Sequence, residues 1–537
     1  MSDIADVASA RPAGADKAPA EHGDAAAVAA DGEIGAAGEA ARRRSVRAAA
    51  TWLATRIWFW PTLLMFALGQ HNLNQPELWR DELRTWSATT RSLPEMFHML
   101  GVTDAAVALY YLFLHYWIAL FGDSAVAMRM PSVLAMSAAA GLVTLVGKRL
   151  YNAKVGLIAG LLFAVIPSTT RFAQEARPYA LTMLVAVGST LLLLRAIEKR
   201  TWGRFVLYGL SIAVLALLQP VALPLLFVHA VGVLIWGWRD RALQVRAGAA
   251  ALGGLVLAAP VLYISATQYG HQVGALPDPT LTELTKLPPR LFASGMLAGA
   301  IIVLALLAFA GPWRPAVFAG AWAVLPIGIV WLVSHSGSSY WMTRYMLPTL
   351  PGFVILAASV LAALRLPLLI AGVVIAFGLG VPDQRVVRNA GAHDQWLYPD
   401  LVPDHIQYGL AARTLEQHMR PGDGIVYSER WQVWLNDIGL AYHMRGKPMP
   451  RDVFLEQTAV EVGDFWVKEC DDLAACLRNE ERIWIVSVDI EGEDSPWDRL
   501  EPEKVAVLRD DYTVVERWEQ GPLRGINLTL LVRNDLL

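Results

Sequence analysis

The chain has 537 residues, of which 55% are hydrophobic and 17% charged, and its mean hydropathy is +0.39. Soluble globular domains carry about 25% charged residues, so this composition excludes a chain that is soluble throughout. The net charge of -3 argues against a nucleic-acid partner. The 20 tryptophans are many, and indoles favour the level of the lipid headgroups. The composition therefore predicts a polytopic membrane protein.

Residues 1–50 differ in composition from the rest of the chain. They are rich in Ala, Gly and Asp, and they end in a cluster of Arg42, Arg43, Arg44 and Arg47. With so few large apolar side chains, the segment cannot offset its ordering entropy, which predicts a disordered tail. It lacks the basic start and apolar core of a signal peptide. Because the arginine cluster precedes the first apolar run, we expect this end to remain in the cytoplasm.

About 11 apolar runs are long enough, at roughly 20 residues, to cross a hydrocarbon core of ~30 Å. They lie near 57–73, 130–147, 155–170, 179–196, 205–219, 221–237, 248–266, 292–311, 315–334, 346–363 and 367–382. The further run 107–122 is short and aromatic. If it crossed the membrane, the basic loops between the later runs would lie outside, against the positive-inside bias. We therefore predict an interfacial helix at 107–122, a cytoplasmic N-terminus and an extracytoplasmic C-terminus.

The last part of the chain, 383–537, changes character. Alternating apolar residues in "DGIVYS" and "RIWIVSVD", with the helical stretch "YGLAARTLEQHM", predict a small α/β domain outside the membrane. Cys470 and Cys476 are either a short-loop disulfide or two unrelated thiols, and an outside location favours the disulfide.

The first outside loop, 74–128, places Asp81 and Glu82 side by side at the start of "DELRTWSATTRSL". Two interpretations remain open. The acids are either helix N-terminal residues favoured by the macrodipole, or they include a general base whose pKa partial burial would raise. The arginines at outer ends of predicted spans are likewise either headgroup anchors or the binding site of one lipid phosphate. These are Arg129, Arg177 and Arg344.

Several motifs together resemble those of a known family. They are the acidic pair, a "YY" helix, "RMPS", "RFAQEARPYA" and "TRYMLPTLP". The set is similar to GT-C membrane glycosyltransferases, and in particular to protein O-mannosyltransferases and the aminoarabinose transferase of lipid A, in their bacterial mannosyltransferase-like branch. The resemblance covers 57–382. It implies a polytopic α-helical membrane protein of GT-C type, with about 11 transmembrane helices plus juxtamembrane helices, followed by the extracytoplasmic α/β domain.

The resemblance implies inverting transfer of a single sugar from a polyprenyl-phosphate carrier to an acceptor hydroxyl on the outer face of the membrane. Mannose is the favoured sugar, and the acceptor is a cell-envelope glycan, lipoglycan or protein. No cofactor or metal is expected, since no ligand cluster has metal spacing. One alternative is an arabinosyl or other pentosyl transferase of the same fold. Another class, a lipid-linked sugar flippase or transporter, would predict repeated halves, which the sequence lacks.

Each site residue carried over from the family has an expected role. Asp81 resembles the catalytic base, and the second acids or acceptor-orienting groups are Glu82, Asp104 and Glu175. The donor phosphate is expected at Arg129, Arg177, Lys286, Arg344 and Tyr345. The donor pocket is expected to include Tyr110, Tyr111, Tyr179 and Trp341. The family often has His or Pro where this chain has Val107 and Ala108, so no histidine-assisted step is expected.

Overall fold

The computed structural model describes residues 56–537 except 269, 271–275, 277, 389–406, 429, 431–434, 479, 489–494 and 520–524. The predicted N-terminal tail, 1–50, lies outside the described residues. From Ile57 to Leu537 the chain forms one compact unit.

Helices make up most of the described chain before residue 389. They are α1 Phe59–Gln70, α2 Arg80–Thr89, α3 Leu93–Val102, α4 Ala108–Phe121, α5 Ala125–Leu150, α6 Ala153–Val165, α7 Pro167–Ala173, α8 Tyr179–Lys199, α9 Trp202–Leu218, α10 Leu225–Gly237, α11 Arg241–Thr267, α12 Leu281–Phe292, α13 Gly295–Leu307, α14 Trp313–Val333, α15 Leu350–Ala363 and α16 Leu366–Val386. The 3-10 helix Thr343–Thr349 leads into α15. Ser124, Asn152 and Asp240 cap α5, α6 and α11 by accepting a backbone N–H three residues further on.

The described residues include seven helices that are long and apolar enough to cross a membrane, or nine if each of two bent helix pairs is one span. The protein is therefore a multi-pass membrane protein. Two of the predicted runs, 57–73 and 205–219, fall on the shorter helices α1 and α9, which have 12 and 17 residues. Which face of the membrane each loop occupies stays a prediction from the charge pattern.

The predicted run 155–170 falls on two helices that meet at a bend. Helix α6 ends at Val165, and α7 continues from Pro167 at an angle of 66°. Proline has no N–H to donate to the preceding turn, which explains the break at this position. All of α7 is buried, so its polar side chains lie inside the protein. They are Ser168, Thr169, Thr170 and Arg171. The candidate site is built around this turn.

The run predicted to be interfacial forms the 14-residue helix α4. At 1.5 Å per residue it spans ~21 Å, short of the ~30 Å of a hydrocarbon core. Its buried face consists of Tyr110, Tyr111 and Leu114. Its placement on the membrane surface stays a prediction.

The predicted α/β domain is confirmed. Its helices are α17 Tyr408–His418, α18 Asn436–His443, α19 Ala459–Val462, α20 Leu473–Cys476 and α21 Pro502–Leu508. Its strands are β1 Gly424–Tyr427, β2 Arg451–Asp452, β3 Leu455–Gln457, β4 Lys468–Glu469, β5 Arg482–Val488, β6 Tyr512–Trp518 and β7 Ile526–Arg533. The main sheet has the order β2-β1-β5-β7-β6, with β2, β1 and β5 parallel and the last two pairings antiparallel. Strands β3 and β4 pair separately, and Cys470 and Cys476 are joined by a disulfide.

The α/β domain and the first outside loop share one hydrophobic core. Leu83 and Met96 of the loop belong to the same buried cluster as Tyr408, Ile438 and Trp484 of the domain. Burial of apolar side chains from both parts stabilises their contact, since each would otherwise expose that surface to water. Helix α2, which carries the acidic pair, is therefore held between the membrane helices and the α/β domain.

Candidate active site

Helix α2 gives the two adjacent acids different environments. Both lie in its first turn, where the N-terminal end of the helix dipole favours negative charge. Successive side chains point about 100° apart around a helix of 3.6 residues per turn. Asp81 and Glu82 consequently meet different partners, and the structure assigns them different physical roles.

Glu82 forms a closed ion pair with Arg129 of α5. Its Oε1 and Oε2 accept from Arg129 Nε and Nη2 at 2.8 and 2.6 Å, and the backbone N–H of Ala176 donates to Oε1 at 2.8 Å. The other Arg129 N–H groups donate to the carbonyl oxygens of Leu73, Pro76 and Glu77. Both side chains are fully buried.

All five N–H donors of Arg129 are thus occupied within the protein. A phosphate could bind this guanidinium only by displacing several of those bonds. The geometry therefore argues against the predicted phosphate role of Arg129. The ion pair between Arg129 and Glu82 instead holds α2 against α5.

Asp81 faces Arg344 instead. Its Oδ2 lies 3.1 Å from Arg344 Nη1, and both side chains are about nine-tenths buried. Arg344 belongs to the 3-10 helix before α15, so residues 263 positions apart in the sequence meet here. The guanidinium also lies 5.9 Å from the ring centroid of Trp79 and 5.8 Å from that of Tyr179. The predicted meeting of the early aspartate with a late arginine is thus present in the structure.

The electrostatics of Asp81 differ from the sequence-based expectation. Burial raises the pKa of this carboxyl, but the guanidinium groups of Arg344, Arg177, Arg84 and Arg80 outweigh burial and hold the pKa well below its usual range. The expectation that burial would leave Asp81 with a raised pKa is wrong. In this state Asp81 is a stable carboxylate in a cationic surround.

Arg177 extends the polar network toward α4. Its Nη1 donates to Tyr111 Oη at 3.1 Å and to Thr85 Oγ1 at 3.3 Å. Tyr111 in turn donates to Oδ2 of Asp104 at 2.6 Å. Asp104 has a left-handed backbone, φ 58°, directly before the turn into α4. Asp104 is therefore linked to Arg177 by two consecutive hydrogen bonds through the Tyr111 hydroxyl.

Glu175 is a second buried acid near this network. Its Oε2 pairs with Arg171 Nη1 at 3.0 Å, one helical turn earlier. Burial is the main cause that raises the pKa of Glu175 to about 7, although Arg171 opposes the shift. Arg171 was not among the residues expected to bind the donor phosphate, although its spacing of four from Glu175 in "RFAQE" is that of a helical ion pair.

Several buried polar atoms on or next to α2, α4, α7 and α8 have no hydrogen-bond partner in the described part of the chain. They are Trp79 Nε1, Tyr110 Oη, Ser168 Oγ, Thr170 Oγ1, Arg171 Nε and Nη2, Glu175 Oε1, Arg177 Nε and Thr182 Oγ1. Buried polar atoms in native proteins are nearly always paired, and each unpaired one is costly. A polar ligand bound among these residues would satisfy them. Trp79 was missed by the sequence analysis, and its ring lies 5.6 Å from Arg171.

The remaining predicted residues are less closely tied to Asp81. Lys286 is half-exposed and pairs with Glu283 of its own helix at 3.1 Å. Trp341 and Tyr345 are half-buried and pack on the core of the membrane helices. The described part of the chain contains no group of three or more His, Cys, Asp or Glu placed to hold a metal ion.

Comparison with solved structures identifies the architecture. The chain resembles ArnT from Cupriavidus metallidurans bound to undecaprenyl phosphate, with a TM-score of 0.60 and 15% identity over 90% of this chain and 98% of that chain. For the apo state of the same protein the values are 0.61 and 14%, with the same coverage. The chain has the GT-C fold. This confirms the fold class that the motifs predicted.

Part of the GT-C fold is also recognised from sequence. Residues 107–264, from the turn before α4 into α11, match the family model described as dolichyl-phosphate-mannose-protein mannosyltransferase. Asp81 and Arg344 both lie outside that range. No curated protein matches the chain. An oligosaccharyltransferase from Archaeoglobus fulgidus, with zinc and sulfate, aligns with a TM-score of 0.46 and 12% identity over 80% of this chain and 67% of that chain.

Proposed function

We propose that this protein is an inverting glycosyltransferase that moves one sugar, mannose, from a polyprenyl-phosphate carrier to an acceptor hydroxyl on the outer face of the membrane. The observation that carries the proposal is the buried Asp81–Arg344 pair, surrounded by further arginines and by polar atoms that lack partners. A carboxylate beside preorganised cations is what a hydroxyl nucleophile and a phosphate leaving group require.

The donor phosphate is assigned to Arg344, Arg177 and Arg171. Arginine stays charged and its planar fork suits phosphate oxygens. Arg171 Nε and Nη2 and Arg177 Nε are buried without partners, so they would gain hydrogen bonds from an incoming phosphate. The solved ArnT structure that this chain resembles is a complex with undecaprenyl phosphate, which supports a polyprenyl-phosphate donor here.

Asp81 is assigned the role of general base. It accepts the proton of the acceptor hydroxyl while that oxygen forms a bond to the anomeric carbon. The bond between the anomeric carbon and the phosphate oxygen breaks, and the polyprenyl phosphate leaves with the electron pair. Attack from the face opposite the phosphate inverts the anomeric configuration. The guanidinium groups neutralise the charge that develops on the leaving oxygen.

The low pKa of Asp81 fits this role if the donor changes the local charge. Without the donor, Arg344 and Arg177 stabilise the carboxylate and make it a weak base. A bound phosphate carries negative charge to the same guanidinium groups and offsets their pull on Asp81. The carboxylate then becomes more basic only when the donor is in place, which protects the site from binding a proton prematurely.

The test is Asp81→Asn with labelled polyprenyl-phosphate-mannose. We expect kcat to fall by roughly 10²–10⁴-fold, the range of general-base catalysis. Donor affinity should stay equal or rise, because asparagine no longer competes with the phosphate for the charge of Arg344. Asp471→Asn, whose side chain is 93% exposed in the α/β domain, is the matched control. Turnover near the wild-type rate would contradict the base assignment, and lost donor binding would point to a structural role.

The sugar is tested with the same protein and a donor panel. Mannose is supported by the description of the family model that matches residues 107–264. Polyprenyl-phosphate donors of mannose, arabinose and glucose, compared by kcat/KM, discriminate among the sugars. A higher kcat/KM with arabinose than with mannose would replace the proposed sugar without changing the mechanism.

A further inference from the structure

Arg84 joins the candidate site to the α/β domain. It follows Asp81 by three residues on α2, so the two side chains lie on one face of the helix. It is one of the four arginines that lower the pKa of Asp81. Its guanidinium lies 5.7 Å from the ring centroids of both Phe465 and Trp466. A segment of the α/β domain thus reaches the helix that carries the proposed base.

Arg91 makes a second connection to the same segment. Its Nη2 donates to the carbonyl oxygen of Asp464 at 2.5 Å, and its guanidinium lies 6.0 Å from the Phe465 ring. The side chain is only 4% exposed, yet Nε and Nη1 have no hydrogen-bond partner. Arg84 Nε is also buried and without a partner. Arg84, beside Phe465 and Trp466, and Arg91, beside Phe465, therefore hold N–H groups that nothing in the described chain satisfies.

Asp81 is close to two sets of cations that meet different parts of the protein. Arg344 and Arg177 come from the ends of membrane helices, where a lipid-linked phosphate arrives from the bilayer. Arg84 lies on the side covered by the α/β domain, where a water-soluble group arrives. Inversion requires the acceptor oxygen and the leaving phosphate to lie on opposite faces of the sugar. A base that is close to both sets can serve an acceptor that enters from the domain side.

We infer that Arg84, Arg91, Phe465 and Trp466 form an acceptor subsite that takes a saccharide. The inference rests on the proposed function, and it assigns the α/β domain a part in acceptor binding. Phe465 is buried in the shared core and anchors the segment, whereas Trp466 is half-buried and packs against the edge of that core.

The chemistry of the four residues favours a sugar ring. The C–H face of a pyranose or furanose packs on an aromatic ring, and Trp466 supplies that ring. Sugar hydroxyl oxygens accept hydrogen bonds, which the unpaired N–H groups of Arg84 and Arg91 can donate. A pocket with one aromatic face and a few directed polar groups is typical of small-ligand recognition. A Ser- or Thr-bearing peptide would satisfy the N–H groups through its carbonyls but would leave the ring without a matched face.

The experiment compares acceptor kinetics in Trp466→Ala and Trp497→Ala. Both variants remove a half-buried tryptophan from the α/β domain, but Trp497 packs in a separate core cluster without residues of α2. The acceptors are oligosaccharides of mannose, arabinose and glucose and an octapeptide with Ser and Thr. We expect Trp466→Ala to raise the acceptor KM by roughly tenfold, with donor KM and donor hydrolysis by water unchanged. Trp466→Phe should restore most of the loss.

Each outcome decides the proposal. Normal donor turnover with an unchanged acceptor KM in Trp466→Ala contradicts the subsite alone. The same holds if Trp497→Ala raises KM equally, or if wild-type protein transfers sugar to the peptide and to none of the oligosaccharides. The subsite is also contradicted if the wild-type protein hydrolyses the donor with water and transfers no sugar to any of the added oligosaccharides. Wild-type protein that neither hydrolyses nor transfers any donor contradicts the proposed function and the subsite with it.

Discussion

Neighbouring residues of one dipeptide take different roles because their partners come from distant parts of the chain. Asp81 pairs with Arg344 and Glu82 with Arg129, so the two acids are attached to different membrane helices. The Glu82 carboxylate accepts two hydrogen bonds from Arg129 and one each from the backbone N–H groups of Ala176 and Trp79, which leaves no lone pair directed at a substrate. Of the two acids, only Asp81 keeps some solvent exposure, 7% against none for Glu82.

The ionisation of the single residue Glu175 predicts how the stability of the protein depends on pH. Its pKa of about 7 in the folded protein exceeds the 4.5 of an unperturbed carboxyl. Between those values the folded protein binds more protons than the unfolded chain, so its free energy of unfolding falls as the pH rises. Above about pH 7 the loss is complete, at up to about 3 kcal/mol. Glu175→Gln removes this ionisation, and its oxygen can still accept from Arg171.

The measurement is thermal unfolding in detergent at pH 5, 6, 7 and 8 for wild-type protein and Glu175→Gln. We expect the wild-type midpoint to decline more steeply between pH 5 and 7 than that of the variant. The other groups that titrate in this range contribute equally to both proteins. The difference between the two slopes of midpoint against pH therefore reports the ionisation of Glu175 alone. Identical slopes would mean that Glu175 titrates well outside the window.

At the scale of helices, the ion pair Glu82–Arg129 has a natural counterpart in Arg149–Glu198. Both join two segments, with shortest N–O distances of 2.6 and 2.7 Å, but the first pair is fully buried and the second is 30% and 43% exposed. Removing one partner of a buried pair leaves an uncompensated charge and costs ~3–5 kcal/mol, whereas an exposed pair is worth ~0–1 kcal/mol. We expect Glu82→Gln to destabilise strongly and Glu198→Gln weakly.

Denaturant unfolding in mixed micelles, followed by tryptophan fluorescence, measures the two losses under one condition. Glu82→Gln should also shift α2, so the remaining folded fraction should show reduced turnover. Equal losses of stability for the two variants would show that the burial of Glu82 has no energetic effect. A stable Glu82→Gln protein with lost turnover would instead restore the role of second acid that the sequence suggested for this residue.

The elements themselves were largely predictable, and the contacts between them were not. Hydropathy located every apolar run on a helix, because a segment that crosses lipid must be apolar and must satisfy its own backbone. The break before Pro167 has a local cause that the sequence displays, although the sequence analysis did not predict a break there. The meeting of Asp81 with Arg344 was expected from the family resemblance, which gave Asp81 the role of base and placed Arg344 at the donor phosphate. Whether Arg129 faced a phosphate or Glu82 depended on tertiary packing, which no local pattern records.

At the scale of the whole molecule, the α/β domain and the outside loop behave as one packed body. Trp86 of α2 meets the ring of Tyr442 edge-on at 5.4 Å, and its Nε1 donates to Asp123 at 2.9 Å. Asp123 also pairs with Arg445 of the domain at 3.2 Å. Just before α2 in the chain, Glu77 accepts from the backbone N–H of Gly409 at 3.1 Å. Sequence composition marked the domain as separate, yet its core continues into the loop.

Continuity of the core predicts that a change in α2 is transmitted to the domain. Trp86→Ala removes the edge contact with Tyr442 and the donor to Asp123, so α18 loses packing that its own sequence cannot replace. We expect faster amide exchange in residues 436–443 as well as in 80–89, measured by hydrogen exchange in detergent. Trp202→Ala, at a position 59% exposed at the start of α9, should change neither segment. Faster exchange confined to 80–89 would mean that the domain folds independently of the helix that bears Asp81, and that its contact with α2 contributes little to holding that helix in place.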